Sequence, residues 1–202
     1  MDKNISQDKE NNGLFAGFLD FLESFVLAVA CVVFIFLFIF RLSVVSGNSM
    51  YKTLENNDYL IVVNPFYTYE PEGGDIVVIH GDYGVYNKPL VKRVIATEGQ
   101  KIAIDMSNKK VYVDGVLLDE DYAYYQYGIS YRIPTTEGGT YDSATGIFYA
   151  TVPEGHVFVM GDNRLNSADS RVKEISFVNE NNILGKAVYR IAPFSKIGKI
   201  YS

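Results

Sequence analysis

The chain has 202 residues, a formal net charge of −6 and hydrophobic residues at 48% of its positions. This acidic balance, without a basic patch, argues against nucleic acid as a partner. The single cysteine, Cys31, excludes an intramolecular disulfide. No group of residues has metal-ligand spacing, so we expect neither a metal nor an organic cofactor.

The first predicted element is a membrane anchor. Residues 24–40 form an apolar run without a charge, which at about 17 residues reaches the lower limit for a transmembrane helix. If Arg41 extends its charged end to the interface, the apolar residues beyond it lengthen the predicted anchor to 24–45. A cleaved signal peptide is the alternative, but the acidic N-terminus and Arg41 in the would-be cleavage region favour an anchor.

Residues 1–23 are predicted to form a separate segment before the anchor. Its apolar residues recur at near-helical spacing, which predicts an amphipathic lead-in on the membrane surface. The positive-inside rule leaves the orientation open, because two cations stand on each side of the span: Lys3 and Lys9 before it, Arg41 and Lys52 after it.

Residues 46–202 are predicted to form one mainly β domain of coiled or packed antiparallel sheets. Short β-branched runs alternate there with Gly, Asn, Asp and Pro clusters, and Asp114-Gly115 is typical of a tight hairpin turn. The predicted strands are Tyr59–Val63, Asp75–His80, Leu90–Thr97, Lys101–Asp105, Lys109–Val113, Val116–Leu118, Gly146–Val152, His156–Met160 and Ile183–Arg190. Residues 119–150, rich in Tyr and Gly, are interpreted as an elaborated insertion.

Ser49, a few residues past the predicted anchor, is a candidate nucleophile. A serine hydroxyl needs a base to remove its proton. The two histidines, His80 and His156, stand at strand ends without the sequence context of a Ser-His-Asp triad, so both are interpreted as structural.

Lys92 is the candidate base. In a strand it shares one face with Leu90, Val94 and Ala96, while Arg93 points to the other face. An amine on an apolar face loses solvation, which lowers its pKa from about 10.4 towards the working range. Taken alone, a lysine on a strand is more often a surface residue. Only the presence of two other motif segments, around Ser49 and at residues 161–171, favours the catalytic interpretation.

A second lysine competes for this role. Ser49-Met50-Tyr51-Lys52 fits the Ser-x-x-Lys motif of penicillin-binding proteins and β-lactamases. The Ser-Asp-Asn and Lys-Thr-Gly elements that accompany that motif do not occur in this chain. We therefore interpret the spacing of Lys52 from Ser49 as a coincidence.

A polar block follows the predicted strand His156–Met160. Residues 161–171 read Gly-Asp-Asn-Arg-Leu-Asn-Ser-Ala-Asp-Ser-Arg and hold two Asp and two Arg. Asp-Arg pairs fix geometry through bidentate hydrogen bonds, so the block predicts a rigid support at a strand exit.

Three segments together resemble the conserved boxes of the bacterial type I signal peptidases, a family of membrane-bound Ser-Lys proteases. The segments are Ser46–Met50 with Thr53-Leu54, Leu90–Ile95, and Gly161–Arg171. The resemblance implies a signal-peptidase-like coiled β domain after one transmembrane helix. It also implies Ser49 as nucleophile, Lys92 as general base and Ser167 as the residue that orients Lys92. The bracing residues that it implies are Asp162, Arg164, Asp169 and Arg171.

The chain departs from the family pattern after both dyad residues and before the serine. Lys52 stands for the usual Pro, and Ala96, Glu98 and Gln100 stand for Gly, Pro and Asp. Position 47 is Gly, where some members have a serine that completes the oxyanion hole. The backbone N–H of Ser49 is then the expected oxyanion donor.

The implied reaction is endoproteolysis of exported preproteins after small-x-small sites. Met50, Leu54 and Val91 are candidate substrate-binding residues, because they lie next to the dyad in the sequence. The insertion is expected to shield or extend the substrate groove. The resemblance further implies a cell-membrane protein in the lipid bilayer near the secretion translocon, with a cytoplasmic N-terminus and an extracytoplasmic catalytic domain.

Three other functions are alternatives to signal-peptide removal. A self-cleaving repressor shares the dyad, but such proteins are soluble, which the predicted anchor disfavours. A membrane-tethered binding protein without activity would have no need of both Ser49 and Lys92. A processor dedicated to one exported substrate stays open, because the departures at 52 and 96–100 are compatible with it.

Overall fold

The structure is a computed structural model that describes residues 2–65, 69–84, 86–128 and 131–200. Residues 129 and 130 of the predicted insertion therefore lie outside the described residues, as do positions 1, 201 and 202. For residues 2–16 and 35 only the backbone is described. The chain divides into two compact units, residues 1–40 and residues 41–202.

The first unit contains one long helix, α1, at Asp2–Ile39. Its segment Gly17–Ile39 has a mean hydropathy of 2.8 and is long and apolar enough to cross a membrane. At 1.5 Å per residue this segment spans about 35 Å, which exceeds the hydrocarbon thickness of a bilayer. Large apolar side chains along it, such as Phe21, Leu27 and Leu37, are exposed.

The helix ends before the predicted anchor does. Residues 40–44 form a strand that pairs with Tyr59–Val63, and Val45 is buried in an apolar cluster. Sheet pairing satisfies the backbone of these residues, so the helical part of the predicted 24–45 anchor is residues 24–39. The division of the whole chain into three segments stays a prediction.

The second unit is built from short strands. They are β1 (Phe40–Val44), β2 (Tyr59–Val63), β3 (Ile76–Ile79), β4 (Leu90–Ala96), β5 (Lys101–Asp105), β6 (Lys110–Val113), β7 (Val116–Leu117), β8 (Thr140–Asp142), β9 (Ile147–Thr151), β10 (His156–Met160), β11 (Val178–Asn179), β12 (Ile183–Ala192) and β13 (Gly198–Lys199). Two short 3-10 helices lie at Glu180–Asn182 and Phe194–Lys196.

The strands form two sheets. The larger sheet has the order β1-β2-β12-β3-β4-β10-β11, with β13 paired to β12, and the smaller has the order β7-β6-β5-β9-β8. The pairs with a described register are antiparallel. The predicted fold class, a mainly β domain with a curled antiparallel sheet after one apolar helix, is confirmed.

Strand β4 is central, which explains its composition. It pairs with β3 on one side and with β10 on the other, and five of its seven residues are buried. A strand that has a partner on each side and is buried on both faces usually has a continuous run of apolar residues. The two charged residues within it, Lys92 and Arg93, are therefore placed in the interior.

All nine predicted strands are present, with bounds that differ by no more than two residues. The Asp114-Gly115 turn has the positive φ values, 52° and 80°, that its residues favour. Strands β1, β8, β11 and β13 were not predicted. Three of these have only two or three residues, so alternation cannot develop, and β1 follows directly on the apolar helix.

Most of the predicted insertion has irregular backbone. Residues 118–128 and 131–139, which we name the tyrosine strap, lie between β7 and β8. Residues 140–150 instead contribute β8 and most of β9 to the smaller sheet. The irregular part is thus shorter than the predicted 119–150.

Candidate active site

Ser49 lies in the loop between β1 and β2, residues 45–58, which we name the serine loop. Hydrogen bonds hold this loop near both of its ends. Val45 N–H donates to the Asp58 carbonyl at 2.9 Å, and Gly47 N–H donates to Asn56 Oδ1 at 2.8 Å. Gly47 has a φ of 94°, a conformation that side chains with a Cβ rarely adopt. Met50, the residue after the serine, is 1% exposed and fixes the far side of the loop in the core.

Strand β4 brings Lys92 to this loop. Lys92 Nζ lies 2.9 Å from Ser49 Oγ, although the two residues are 43 positions apart in the chain. The same ammonium or amine nitrogen donates to the Val91 carbonyl at 2.9 Å. Lys92 is only 2% exposed. A nucleophile and a base at hydrogen-bonding distance is the arrangement that general-base catalysis requires.

Burial lowers the pKa of Lys92 to about 8, from the usual 10.5. The negative charge of Asp169 opposes this shift, the Arg171 guanidinium adds to it, and Asp162 opposes it weakly. Neither carboxylate forms an ion pair with Lys92, so the loss of hydration dominates. A substantial fraction of Lys92 is therefore neutral near physiological pH.

Asp162 ties the three predicted segments together. Its carboxylate accepts two hydrogen bonds from Arg93, Nε to Oδ1 and Nη2 to Oδ2, each 2.9 Å long. The Thr53 hydroxyl donates to Asp162 Oδ2. Thr53 belongs to the serine loop and Arg93 follows Lys92 in β4. One buried carboxylate thus fixes the serine loop against the base-bearing strand.

A second buried pair stiffens the polar block. Asp169 accepts two hydrogen bonds of 2.7 Å from Arg171 and a third, of 2.9 Å, from Gly161 N–H. Arg171 Nη1 also donates to the Arg164 carbonyl at 2.7 Å. Burial alone raises the pKa of Asp169, but the Arg171 guanidinium outweighs it and the pKa falls below its usual value.

Gly161 allows the polar block to approach the serine loop. A Cβ at this position would overlap the Ser49 carbonyl oxygen and Ser167 Oγ. The next contact along the block is a hydrogen bond of 2.9 Å from Asn163 N–H to the Ser49 carbonyl. The backbone of the nucleophile is thus held by the backbone of the block, and glycine is required there for steric reasons.

Ser167 lies beside these groups, but it does not hydrogen-bond to Lys92. Its Oγ is buried, and its side-chain hydrogen bond to Asp169 helps to lower the pKa of that carboxyl group. The nitrogen of Lys92 instead contacts Ser49 and the Val91 carbonyl. The orienting role of Ser167 stays a prediction.

The comparisons with known proteins identify the family. The family model described as "Signal peptidase, peptidase S26" matches residues 18–192, which contain the serine loop, β4 and the polar block.

The chain belongs to the signal peptidase family, peptidase S26.

Curated signal peptidases match most of the chain. A signal peptidase I from Bacillus caldolyticus is 40% identical over 172 residues, which are 84% of this chain and 88% of the relative. Signal peptidase I S from Bacillus subtilis is 33% identical over 94% of this chain and 97% of its own length. A crystal structure of a signal peptidase I from Enterococcus faecalis is 29% identical, covers 58% of this chain and 97% of that chain, and has a TM-score of 0.43.

The other candidate bases, which are Lys52, His80 and His156, form no hydrogen bond with Ser49 in the part of the chain that the structure describes. Lys52 is exposed, and its Nζ lies 5.4 Å from the centre of the Tyr124 ring. The His156 ring nitrogen Nδ1 hydrogen-bonds to the Glu154 carbonyl at 2.6 Å, and His80 is exposed at the end of β3. Among the described residues, Lys92 is the base that contacts the serine.

The predicted substrate-binding residues differ in exposure. Met50 and Leu54 are 1% and 0% exposed and belong to the apolar cluster of β2 and β3, whereas Val91 is half-buried and packs against that cluster. The two buried side chains can support a substrate surface from beneath. Direct contact of the three residues with a substrate stays a prediction.

The tyrosine strap supplies site residues that the sequence did not indicate. Tyr124 N–H donates to the Asp162 carbonyl at 2.7 Å, and Arg164 N–H donates to the Tyr124 carbonyl at 2.9 Å. The Arg93 guanidinium lies 3.9 Å from the centre of the Tyr122 ring. Glu120 forms an ion pair with the fully buried Arg164 side chain. The strap has no periodicity, so no sequence pattern could have predicted these contacts.

Among the described residues, no group of three or more His, Cys, Asp or Glu side chains is arranged to hold a metal ion.

Proposed function

We propose that the protein is a membrane-anchored serine endopeptidase that removes signal peptides from exported preproteins after small-x-small sites. In this proposal Ser49 is the nucleophile and Lys92 is the general base. One observation carries it: the nitrogen of a lysine that is 2% exposed lies 2.9 Å from the serine oxygen. Membership of the signal peptidase family supports signal-peptide removal and preproteins as substrates.

The first step is acylation of Ser49. Neutral Lys92 accepts the Ser49 hydroxyl proton as Oγ attacks the carbonyl carbon of the scissile bond. The negative charge that develops on the carbonyl oxygen needs a hydrogen-bond donor. The backbone N–H of Ser49 donates to no described residue, which leaves it free for this purpose. The Lys92 ammonium then delivers the proton to the leaving amine, and the mature protein departs.

The second step is deacylation. The amine of Lys92, neutral again after the first step, accepts a proton from a water that attacks the acyl carbonyl carbon. The bond to Ser49 Oγ breaks, Lys92 returns the proton to that oxygen, and the signal peptide leaves as a carboxylate. Both steps use the same base, which explains why its nitrogen is held by the Val91 carbonyl as well as by the serine.

Asp162, Arg164, Asp169 and Arg171 brace the site in this proposal and do not react. Each of them forms an ion pair: Asp162 with Arg93, Arg164 with Glu120, and Asp169 with Arg171. Ser167 completes the support in the proposal, because its Oγ lies in the same buried region beside Gly161. In the proposal its hydroxyl group orients Lys92 when the lysine gives up its contact with Ser49.

Specificity for small residues is proposed to come from the surface beside Val91. The apolar cluster below it contains Met50 and Leu54, both fully buried, so this surface is closed to large side chains. Dense apolar packing leaves no depth for a bulky residue, whereas alanine fits without a cavity. This arrangement supports a preference for Ala-x-Ala sequences before the scissile bond.

The proposed location is the cell membrane, close to the secretion translocon, with the N-terminus cytoplasmic and residues 46–202 outside. The helix Gly17–Ile39 supports the anchor by its length and hydropathy. An enzyme and a substrate that are both held in one bilayer meet at a higher effective concentration than in solution. The orientation rests on the family resemblance, because the flanking charges do not determine it.

The test compares cleavage of a preprotein with an Ala-x-Ala site by the full chain and three variants in detergent micelles. Ser49→Ala and Lys92→Ala are expected to lower kcat by at least about a thousandfold, because each removes a reacting group. Lys52→Ala is the matched control and is expected to keep wild-type activity. Circular dichroism of each variant checks that folding is retained.

Two outcomes would contradict the proposal. Full activity of Lys92→Ala would remove the dyad and return Lys52 to consideration. An inert wild-type chain on several such preproteins, with intact folding, would favour a processor dedicated to one substrate or a binding protein without activity.

A further inference from the structure

A polar cleft adjoins the Ser49 loop. It has a volume of about 430 Å³ and is lined by Asn48, Tyr51, Tyr124, Gln126, Asn163 and Asn166, together with Glu55 and Asn56. We name it the amide cleft, because five of these eight residues carry a carboxamide. The serine loop, the tyrosine strap and the polar block each contribute to its wall.

Asn163 lines this cleft and has a buried side-chain oxygen without a partner among the described residues. Its Nδ2 donates to the Asn48 carbonyl at 3.1 Å, and because a carbonyl can only accept, the atom that faces it must be the amide nitrogen. Asn163 Oδ1 is therefore the remaining polar atom. It is buried and has no hydrogen-bond partner among the described residues, and Asn163 is 3% exposed. A buried acceptor without a partner calls for an explanation, and a donor from a bound water or ligand would supply one.

Three further carboxamides keep their hydrogen-bonding capacity. The side chains of Asn48, Gln126 and Asn166 are exposed and form no hydrogen bond with a described residue. A carboxamide offers two donors and an acceptor, so together they match either edge of a peptide chain. Glu55 adds little charge to the cleft, because it already forms an ion pair of 2.6 Å with Lys196.

Two tyrosines give the cleft a defined shape. The rings of Tyr51 and Tyr124 meet edge to face with their centres 5.0 Å apart. The backbone of Tyr124 is fixed by its hydrogen bonds with Asp162 and Arg164, which are part of the polar block. The position of Tyr124 in the wall of the cleft is therefore set by the polar block.

We infer that the amide cleft binds the first residues of the mature part of the preprotein and selects polar, uncharged side chains there. The inference rests on the proposed function, because it places the scissile bond at Ser49. Residues before the scissile bond are small and apolar and need the surface beside Val91. The amide cleft contains no aliphatic side chain, and it begins at Asn48, next to the nucleophile. The part of the preprotein that follows the scissile bond is therefore the part that we place in the amide cleft.

Binding to an inactive full chain tests this inference without cleavage. Fluorescent peptides with an Ala-x-Ala sequence, followed by Gln-Gln or by Leu-Leu, are titrated against Ser49→Ala in detergent micelles, and anisotropy gives each Kd. The Gln-Gln peptide is expected to bind about tenfold more tightly, the effect of two additional hydrogen bonds. The double variant Gln126→Leu with Asn166→Leu is expected to abolish this ratio.

Asn181→Leu on the same background is the matched control. Asn181 is exposed, lies in a 3-10 helix and does not line the amide cleft, so the ratio should stay about tenfold. Asn163→Leu is added as a probe of the buried acceptor, with thermal unfolding to check its fold, because it also removes the bond to Asn48.

Equal Kd values for the two peptides would overturn the inference, and so would an equal loss of affinity for both peptides in the double variant. Because no bond is cut in this assay, its result is separate from the identity of the nucleophile. If the wild-type chain cleaves preproteins but the Gln-Gln and Leu-Leu peptides bind with equal Kd values, the proposed function stands. The amide cleft then has no role in selecting the substrate.

Discussion

At the scale of single residues, the site contains four buried basic side chains. Three of them form ion pairs with carboxylates, and the fourth, Lys92, does not. Arg93, Arg164 and Arg171 each form an ion pair with Asp162, Glu120 and Asp169 respectively. Lys92 is equally buried, but its nitrogen contacts only a hydroxyl and a carbonyl. A paired guanidinium keeps its charge when buried, whereas an unpaired amine loses its proton more readily. The difference in pairing selects Lys92 as the base.

The pH dependence of cleavage follows from the lowered pKa of Lys92. The base must be neutral, so kcat/KM is expected to rise with pH, about tenfold per unit, and to level off above about pH 8. The measurement is kcat/KM on a soluble Ala-x-Ala peptide between pH 6 and pH 11, values that bracket the ordinary and the lowered pKa. A half-maximal rate near 10.5, the usual value, would show that burial does not act on the reacting group.

Gly161→Ala is expected to remove most activity. The added Cβ would overlap the Ser49 carbonyl oxygen and Ser167 Oγ, so the serine loop and the polar block must move apart. A displacement of about 1 Å at the nucleophile can cost on the order of a hundredfold in kcat. Gly198→Ala is the matched control, since a Cβ there meets nothing within 4 Å. Unchanged kcat in Gly161→Ala would mean that this close approach does not set the geometry of the dyad.

At the scale of elements, the tyrosine strap acts as an additional strand-like layer over the polar block. Tyr124 forms a parallel bridge with Asn163, and Thr135 N–H donates to the Arg171 carbonyl at 2.8 Å. These backbone bonds satisfy the polar groups of a block that leaves the sheet after β10 and is buried. The strap thus provides hydrogen-bond partners for backbone groups of the buried block.

Glu120→Gln is expected to destabilise the protein by about 3 kcal/mol, because it leaves the buried charge of Arg164 without its counter-ion. Urea denaturation of the full chain in micelles measures the change. Glu137→Gln is the matched control from the same strap: its ion pair with Lys173 is 3.8 Å long and both side chains are more than two-thirds exposed, so no measurable change is expected. Equal stability of the two variants would contradict the bracing role of Glu120.

At the scale of the whole molecule, the chain combines a long apolar helix with a β domain that carries the site. The helix Gly17–Ile39 exposes large apolar side chains, a surface that is costly in water and favourable in lipid. The formal net charge of −6 gives the chain no overall electrostatic attraction to anionic lipids. Membrane attachment is therefore expected to depend on the helix alone.

The full chain is expected to sediment with lipid vesicles, and a chain without residues 1–39 is expected to stay in the supernatant. The shortened chain should still cleave a soluble peptide, while its cleavage of a vesicle-inserted preprotein falls by about a hundredfold through loss of effective concentration. In right-side-out membrane vesicles, protease added outside should digest residues 41–200 of the full chain. Protection of that unit would reverse the proposed orientation, and sedimentation of the shortened chain would show a second membrane contact.

Much of the fold and of the site could be predicted from local patterns. The strands were predictable because alternation and turn residues act over a few positions, as in Asp114-Gly115 and its flanking strands. Ser49, Lys92 and the polar block were recognised through a family resemblance that covers the chain from the helix onward. The short strands β8, β11 and β13 were not predictable, since two or three residues form a strand only where a partner edge is already in place.

The sequence by itself determined the apolar helix and the β class of the domain, because hydropathy and alternation are properties of neighbours in the chain, and the candidate Ser-Lys pair followed from the family resemblance. Only the tertiary structure decided which charges are paired and how deeply the lysine is buried. Arg93 meets Asp162 across 69 positions, and Glu120 meets Arg164 across 44. Desolvation and ion pairing depend on distance in space, so the pKa of Lys92 and the roles of Glu120, Tyr122 and Tyr124 emerge only when the chain is folded.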